Sequence, residues 1–222
     1  KKLIETSTED KVQHKNLDPW VQEVSINTGI VSKKHKIYNL GEKLNKKIPQ
    51  IWDLISKKYK VSVWGTMNSQ LRDNKNINFF FPDPWNFTSD IKPRNLRNFF
   101  LLANYYAKNY TKVDIIKFTN YFLKMSKILF SNRLFYNNIL KNFFVYISLL
   151  LSNFSNLNYK LFVLFDIFSL ITIRNLERKK KSEVLFVFLN SIAHFQHNNW
   201  NEKNNYKIFF SLLDILFNQI NR

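Results

Sequence analysis

The sequence predicts an α/β fold in which helices flank a sheet and a large helical segment interrupts it. Val61–Trp64 and Val184–Leu189 are short, apolar and partly β-branched, which is typical of buried strands, the second buried on both faces. Between residues 90 and 180, apolar side chains recur every three or four positions, which indicates helices. We therefore expect an α/β part (1–89), a helical insertion that forms a cap (90–180) and a return to the α/β part (181–222).

The first predicted element is a helix that begins at Asp18-Pro19 and ends near Thr28-Gly29. Aspartate is a favoured N-cap residue, proline suits the first helical position, and glycine suits the residue after the last turn. The amino end of such a helix attracts anions, because its N–H groups are unpaired and the helix dipole is positive there. We therefore expect an anion site near Asp18.

A second helix is predicted from Pro49 to Lys58, leading into the strand Val61–Trp64. The apolar side chains expected to share one face of that helix are Ile51, Trp52, Leu54 and Ile55. The segment Asn78–Trp85 contains two prolines, and proline cannot donate a hydrogen bond within a sheet. It is predicted to form a short edge strand as far as Phe81, followed by a rigid loop.

The insertion is predicted to contain helices from Arg94 onward, including helices at 135–152 and 160–174. Its aromatic side chains follow helical spacing, so we expect them to pack helices together rather than to stack on nucleic-acid bases. The basic segment Arg174–Lys181 is interpreted as a solvated linker into the last strand. After it, Tyr206–Ile220 is predicted to form an amphipathic helix.

Polar side chains follow the predicted strand Val184–Leu189. Asn190, His194 and His197 would lie at its carboxyl end, where α/β sheets place their ligand sites. Imidazole is a common zinc ligand, and two histidines at one strand end would supply half of a tetrahedral site. The same spacing also fits a solvated helix face, since no aspartate, glutamate or cysteine lies beside the histidines.

The formal net charge of +18 is typical of proteins that bind nucleic acid or an anionic membrane surface. However, the lysines are scattered and arginine, which phosphate recognition favours, is scarce. We interpret the charge as a compositional bias and predict no specific nucleic-acid partner. The chain contains no cysteine, which excludes disulfides and thiolate metal sites.

Neither a signal peptide nor a transmembrane segment is expected. Lys1–Asn16 is polar, and the longest apolar run, Phe143–Leu151, is much shorter than the roughly 20 residues that span a bilayer. We therefore expect a cytoplasmic protein, whose oligomeric state the sequence leaves open. Because the chain does not begin with methionine, we also expect a fragment or a processed piece of a longer protein.

Three segments occur in an order that matches one protein family. They are Ser25–Glu42 (SINTGIVSKKHKIYNLGE), Ile48–Ser69 (IPQIWDLISKKYKVSVWGTMNS) and Phe188–Trp200 (FLNSIAHFQHNNW). The first resembles the segment that follows the nucleophile in the alkaline phosphatase superfamily, in its type I phosphodiesterase and nucleotide pyrophosphatase branch, which is related to the sulfatases. The second is similar to a helix and strand of that branch, and the third resembles its metal-site loop.

The resemblance implies an alkaline-phosphatase-like sheet, two divalent metal ions, commonly zinc, and hydrolysis of a phosphate or sulfate ester. It matches His197 to a metal ligand of the family. The family's carboxylate ligand falls on Ala193, so we expect the neighbouring His194 to take that role, with Asn190 as a further candidate ligand. The remaining ligands of the family would lie before residue 1 and after residue 222, which leaves the site incomplete in this chain.

The resemblance also implies a hydroxyl nucleophile that forms a covalent intermediate, but that position falls on Pro19. Asp18 is the reactive group beside it, and Gln22 falls where the family has an amide that binds the phosphoryl oxygen. Asp18 and Gln22 are therefore the candidate catalytic residues. Ser25 and Thr28 also match family positions, but these are structural positions in the family.

We expect a partial or divergent metal-dependent phosphoester or sulfoester hydrolase, whose status as an enzyme is left open by the missing nucleophile. The alternative is a non-catalytic, basic, helix-rich binding protein on the same scaffold, in contact with an anionic polymer or a membrane surface. Pro19 and the net charge of +18 favour that alternative.

Overall fold

The computed structural model of the chain describes residues 18–72, 74–86, 90–109, 112, 114–130, 157–191, 210 and 214. These residues belong to two compact units. The first comprises the described residues of Lys1–Phe100 and Ser182–Val187, and the second those of Leu101–Lys181 and Phe188–Arg222.

A parallel sheet of three strands forms the centre of the first unit. The strands are β1 (Val61–Trp64), β2 (Ile77–Phe81) and β3 (Val184–Val187), in the spatial order β2-β1-β3. On the central strand, Val61 lies opposite Ile77 on one side and Val184 on the other. The combination of helices with this sheet confirms the predicted α/β class. The finer alkaline-phosphatase-like arrangement stays a prediction.

The two faces of β1 are covered by different apolar clusters. On one face, Trp52 packs with Val61, Val63, Ile77 and Phe80, and all five are buried. The second cluster is aromatic and includes Trp64. The Trp64 ring stacks on Phe81 at a centroid distance of 4.1 Å and contacts the ring of Phe99 at 6.0 Å. Because both faces are covered, every residue of β1 is buried.

As predicted, β2 is a short edge strand of the described sheet that ends at Phe81. Pro82 follows it and cannot donate a ladder hydrogen bond. The outer edge of β2 makes one antiparallel bridge, in which Phe80 and Lys92 exchange backbone hydrogen bonds of 2.7 and 3.0 Å.

The prediction that β3 is buried on both faces and extends to Leu189 is wrong. Val184 and Phe186 pack against the Trp52 cluster, but the opposite face exposes Leu185 by 36% and Val187 by 38%. The sequence is apolar on both faces, so it shows no alternation between polar and apolar residues. Burial of the second face depends instead on whether another element covers it, which the local pattern of the strand does not show.

Among the described residues, three helices precede β1: α1 (Pro19–Thr28), α2 (Ser32–His35) and α3 (Ile51–Ile55). The predicted bounds of α1 are confirmed. Asp18 is its N-cap residue, and Gly29 ends it in the left-handed conformation, with φ of 67°, while donating its N–H to the Ser25 carbonyl. Val21 and Val24 are its buried residues.

The helix α3 is shorter than predicted, and its predicted apolar face is wrong. Trp52 is buried, whereas Ile51 is 38% exposed and Leu54 48% exposed. A capping box between Gln50 and Asp53 starts the helix. The helix ends after five residues, because the next residues turn toward β1. In a helix this short, Trp52 is the buried residue.

After β2, the α-helices of the described residues are α4 (Arg97–Asn109), α5 (Ile115–Phe130) and α6 (Leu157–Lys180). In the second unit, aromatic rings join α4 to α5, with Tyr105 and Tyr121 at 5.4 Å and Tyr106 and Phe118 at 6.1 Å between centroids. The predicted helices at 135–152 and 206–220 lie outside the described residues, except that Phe210 and Asp214 have helical backbone. None of the described helices is both long and apolar enough to cross a membrane.

The interpretation of Arg174–Lys181 as a linker is wrong for all but its last residue, because α6 continues to Lys180. Arginine and lysine have high helix propensity, and positive side chains interact favourably with the carboxyl end of a helix dipole. The basic residues therefore form the end of the helix rather than the connection after it.

Candidate functional site

The loops after β1 and β2 lie at the same edge of the sheet, because the strands are parallel. They are Gly65–Gln70 and Pro82–Asn86, and both contain buried polar residues. The Asp83 N–H donates to the Thr66 carbonyl at 3.3 Å, and the Asn86 amide donates to the Ser69 carbonyl at 2.8 Å. The two loops therefore form one connected group of polar residues at the carboxyl edge of the sheet.

Asn68 connects this edge to the segment that follows α1. Its Oδ1 accepts the Gly41 N–H at 2.6 Å, and its Nδ2 donates to the carbonyls of Asn39 at 3.2 Å and Trp20 at 3.4 Å. The residue is buried and has a positive φ of 47°, a conformation that asparagine tolerates better than most residues. One side chain thus joins three parts of the chain.

Glu23 brings a carboxyl group from α1 to the loop after β1. Its Oε1 accepts the Met67 N–H at 3.3 Å and a hydrogen bond of 3.5 Å from the Asn27 amide. Burial raises the pKa of Glu23 to about 7, the negative charge of Asp83 adds to this rise, and the hydrogen bonds from Met67 and Asn27 oppose it. A carboxyl with such a pKa can release or take up a proton near neutral pH.

Asp83 supplies a second carboxyl group, which is fully buried and accepts the Trp85 N–H at 2.8 Å. Thr66, whose carbonyl pairs with the Asp83 N–H, carries a buried hydroxyl with no hydrogen-bond partner in the part of the chain that the structure describes. Two carboxyl groups at the carboxyl edge of a parallel sheet are an arrangement suited to proton transfer.

Neither Glu23 nor Asp83 is among the site residues predicted from the sequence. A signal was present for Asp83, because the chain has only 16 acidic residues and this one directly follows a predicted strand and its proline. For Glu23 there was no such signal. Only the packing of α1 against the loop after β1 separates it from an ordinary charged helix residue.

The two candidate catalytic residues, Asp18 and Gln22, lie on one side of α1, since residues four apart share a helix face. Asp18 is half-buried, and its carboxylate makes no capping hydrogen bond. Gln22 directly precedes Glu23. A negative charge at Asp18 would repel an anion bound at the amino end of the helix, so the anion site predicted there depends on protonation or on a cation nearby.

Ser25 and His35 form a hydroxyl–imidazole pair that holds α1 to α2, with Ser25 Oγ and His35 Nε2 at 3.1 Å. The Ile37 N–H donates to His35 Nδ1 at 3.0 Å, so the proton of the neutral ring lies on Nε2. His35 therefore donates to Ser25 and cannot take its proton. The Thr28 hydroxyl donates to the Val24 carbonyl at 2.7 Å. These contacts are structural.

The predicted metal ligands His194 and His197 lie outside the described residues. Asn190 is described, is buried and has helical backbone, as does Ser191. In the same unit, Asp166 of α6 is also buried, and its Oδ2 accepts the Ser191 N–H at 2.8 Å. Burial raises the pKa of Asp166 to about 7, and hydrogen bonds from Ser191 and Asn190 oppose the rise.

Amide and carboxylate oxygens are suitable ligands for divalent cations, so Asn190 and Asp166 fit a metal ion in donor type. The set is incomplete, because the described ranges contain no group of three or more histidine, cysteine, aspartate or glutamate side chains that could hold a metal. In the predicted site, the further ligands are His194 and His197.

No family model matches the chain, and comparisons with curated proteins and with solved structures also find no match. The resemblance to the alkaline phosphatase superfamily is therefore still a prediction that rests on three sequence segments.

Proposed function

We propose that the chain is a partial or divergent metal-dependent hydrolase of phosphate or sulfate esters, of the alkaline-phosphatase type. One observation carries the proposal. Two of the three family-like segments, Ser25–Glu42 and Ile48–Ser69, meet at the carboxyl edge of a parallel sheet, where the Asn68 amide of the second bonds Gly41 and Asn39 of the first. Ligand sites of α/β proteins lie at that edge.

In this proposal, the Asp18 carboxylate forms a bond to phosphorus as the bond to the leaving oxygen breaks, and water later hydrolyses the resulting acyl phosphate. The proton for the leaving oxygen comes from Glu23. Its carboxyl titrates near neutral pH and hydrogen-bonds the loop after β1. Asp18 takes the place of the missing hydroxyl, because a carboxylate can act as a nucleophile toward phosphorus. Gln22, one helical turn further along, donates a hydrogen bond to an oxygen of the ester.

A metal ion, which we expect to be zinc, would be held by His194, His197 and Asn190, and the chemistry it would supply is Lewis-acid stabilisation of negative charge on oxygen. Those three residues lie within eight positions of one another in sequence. Zinc binding by the histidines is thus a direct test of the proposal.

We expect the full chain to bind zinc and the variants His194→Ala and His197→Ala to bind it at least about tenfold more weakly, since each loses a ligand. His35→Ala is a matched control, because His35 is occupied by hydrogen bonds within the first unit. The measurement is zinc content after dialysis, together with a competition titration. Equal zinc affinity in the wild-type chain and both variants would contradict the metal assignment.

A second candidate function is binding to an anionic polymer without catalysis. The observation that favours it is the run of exposed basic residues at the end of α6, from Arg178 to Lys181, in a chain of net charge +18. For such binding, the logarithm of the affinity falls linearly with the logarithm of the salt concentration. A steep, log-linear loss of affinity for single-stranded nucleic acid, combined with absent ester hydrolysis, would favour this function. Anionic lipid vesicles would serve as a parallel probe.

A further inference from the structure

The helix α3 and the turn after it carry exposed apolar side chains. Ile51 is 38% exposed, Leu54 48% and Tyr59 48%. Ile51 and Leu54 lie three positions apart and therefore on one face of the helix, whereas Trp52 is buried in the core of the first unit. Tyr59 stays next to the helix, because its N–H donates to the Ile55 carbonyl at 3.1 Å. These three side chains thus form an apolar surface on one short stretch of the chain.

Exposed lysines border this apolar stretch on both sides in sequence. They are Lys46, Lys47, Lys57, Lys58 and Lys60. Two of them directly continue the helix, since the N–H groups of Lys57 and Lys58 donate to the carbonyls of Leu54 and Ile55 at 3.3 and 3.0 Å. We call the five lysines together with Ile51, Leu54 and Tyr59 the α3 surface.

The α3 surface is positively charged. In the segment 43–60 the only acidic residue is Asp53, and its Oδ2 pairs with Arg72 Nε at 3.1 Å. Glu183 adds one negative charge beside the surface, where its carboxylate accepts the Lys60 N–H at 2.8 Å. The five lysines outnumber this single carboxylate, so the surface attracts anions.

We propose that the α3 surface docks on an anionic lipid membrane. In this arrangement Ile51 and Leu54 enter the boundary between head groups and acyl chains, and the lysines bind the negatively charged head groups. Tyr59 suits that boundary, because its ring is apolar and its hydroxyl is polar. The protein would lie on the membrane without crossing it.

The apolar side chains favour lipid over nucleic acid as the partner. The phosphates of a nucleic acid would attract the same lysines, but they offer no apolar contact to Ile51 and Leu54. A membrane offers both kinds of contact at once. Docking requires no ester hydrolysis, so the inference does not depend on the proposed hydrolase. It also concerns a different surface from the basic end of α6, which belongs to the second unit.

The first test measures co-sedimentation of the full chain with phosphatidylcholine vesicles that contain or lack phosphatidylserine. We expect binding only when phosphatidylserine is present. Lys57→Gln/Lys58→Gln should weaken it about tenfold or more, since each lysine near an anionic membrane contributes substantially. Arg178→Gln/Lys179→Gln removes the same charge from the end of α6 and should weaken binding less than about threefold, because salt screens distant charges.

The second test examines the apolar contact. Leu54→Ser should weaken vesicle binding by about threefold to tenfold, because less apolar surface enters the membrane. Ile26→Ser is the control, at an apolar residue of α1 that is 76% exposed and lies outside the α3 surface. It should leave vesicle binding at the wild-type level.

A polarity-sensitive dye tests the position of residue 54 directly. The chain contains no cysteine, so Leu54→Cys and Ile26→Cys each accept the dye at a single site. Vesicles with phosphatidylserine should shift the emission to shorter wavelength for the dye at position 54 and leave it unchanged at position 26. Both positions are exposed, so the substitutions should preserve the fold, and equal urea midpoints would confirm this.

Three results would overturn the inference. One is vesicle binding that is absent or does not require phosphatidylserine. Another is equal weakening by the two double variants, which would show attraction by net charge alone. The third is binding of single-stranded nucleic acid that depends on Lys57 and Lys58, combined with vesicle binding and dye emission that do not respond at position 54. That result would assign the surface to nucleic acid instead.

Discussion

Glu23 in the first unit and Asp166 in the second are carboxyl groups whose pKa burial raises to about 7, but their surroundings differ. Glu23 has two long hydrogen bonds, of 3.3 and 3.5 Å, and the negative charge of Asp83 acts on it. Asp166 accepts a backbone N–H at 2.8 Å, with a further hydrogen bond from the backbone of Asn190.

The comparison shows that the same pKa can accompany different roles. Glu23 makes only two long hydrogen bonds, and the negative charge of Asp83 repels a negative charge on Glu23. Protonation of Glu23 removes that repulsion. Asp166 is held by N–H groups that need an acceptor, so its main effect is on the backbone that it contacts. In the proposed function Glu23 exchanges a proton, whereas the contacts of Asp166 hold the backbone at Asn190 and Ser191.

The largest effect on stability is expected from loss of Asn68, which holds the loop that supplies the Met67 N–H to Glu23. Asn68→Ala should lower the free energy of unfolding by about 2 to 4 kcal/mol, because the buried N–H of Gly41 loses its acceptor and alanine is strained at a positive φ. Urea unfolding measures the change. Asn45→Ala, at an exposed asparagine with one local hydrogen bond, is the control and should cost less than about 1 kcal/mol.

A change of pH is expected to have a somewhat smaller effect on the free energy of unfolding. The pKa of Glu23 is about 7 in the folded chain and 4.5 as its ordinary value, so the folded state binds more protons between these values. Its contribution is fully present below pH 4.5 and is lost as the pH rises through 7. The free energy of unfolding should fall from pH 5 to pH 8, and Glu23→Gln should remove about 2 kcal/mol of that fall.

The pH measurement needs a control for the other carboxyl groups. Glu183→Gln changes an exposed glutamate in the same unit and should leave the slope of stability against pH close to that of wild type. If Glu23→Gln has the wild-type slope, the assignment of proton exchange to Glu23 is wrong, and the difference between Glu23 and Asp166 loses its main support.

The smallest effect is expected from removing the charge of Asp83, which distinguishes burial from charge as causes of the raised pKa of Glu23. Asp83→Asn keeps an oxygen for the Trp85 N–H but removes the negative charge. The pKa of Glu23 should fall, but only part of the way to its ordinary value, because burial is the larger cause. Carboxyl carbon NMR titration measures it. A Glu23 pKa unchanged by Asp83→Asn would show that the two carboxyl groups do not interact.

Local sequence signals were sufficient for elements whose boundaries depend on a few neighbouring residues. Asp18-Pro19 and Gly29 define α1 because capping and the conformational freedom of glycine act over one turn. In the same way, Pro82 limits β2, and the buried character of Val61–Trp64 follows from its apolar residues.

The amino-acid sequence by itself determined the α/β class, the bounds of α1 and the ends of β1 and β2, because these depend on short-range sterics and hydrogen bonding. Only the tertiary structure decided the exposed face of β3, the proximity of Glu23 to the loop after β1, and the contact of Asp166 with Ser191. These features join residues from 25 to more than 100 positions apart. Their formation depends on which surfaces pack together, and local residue patterns carry no information about that packing.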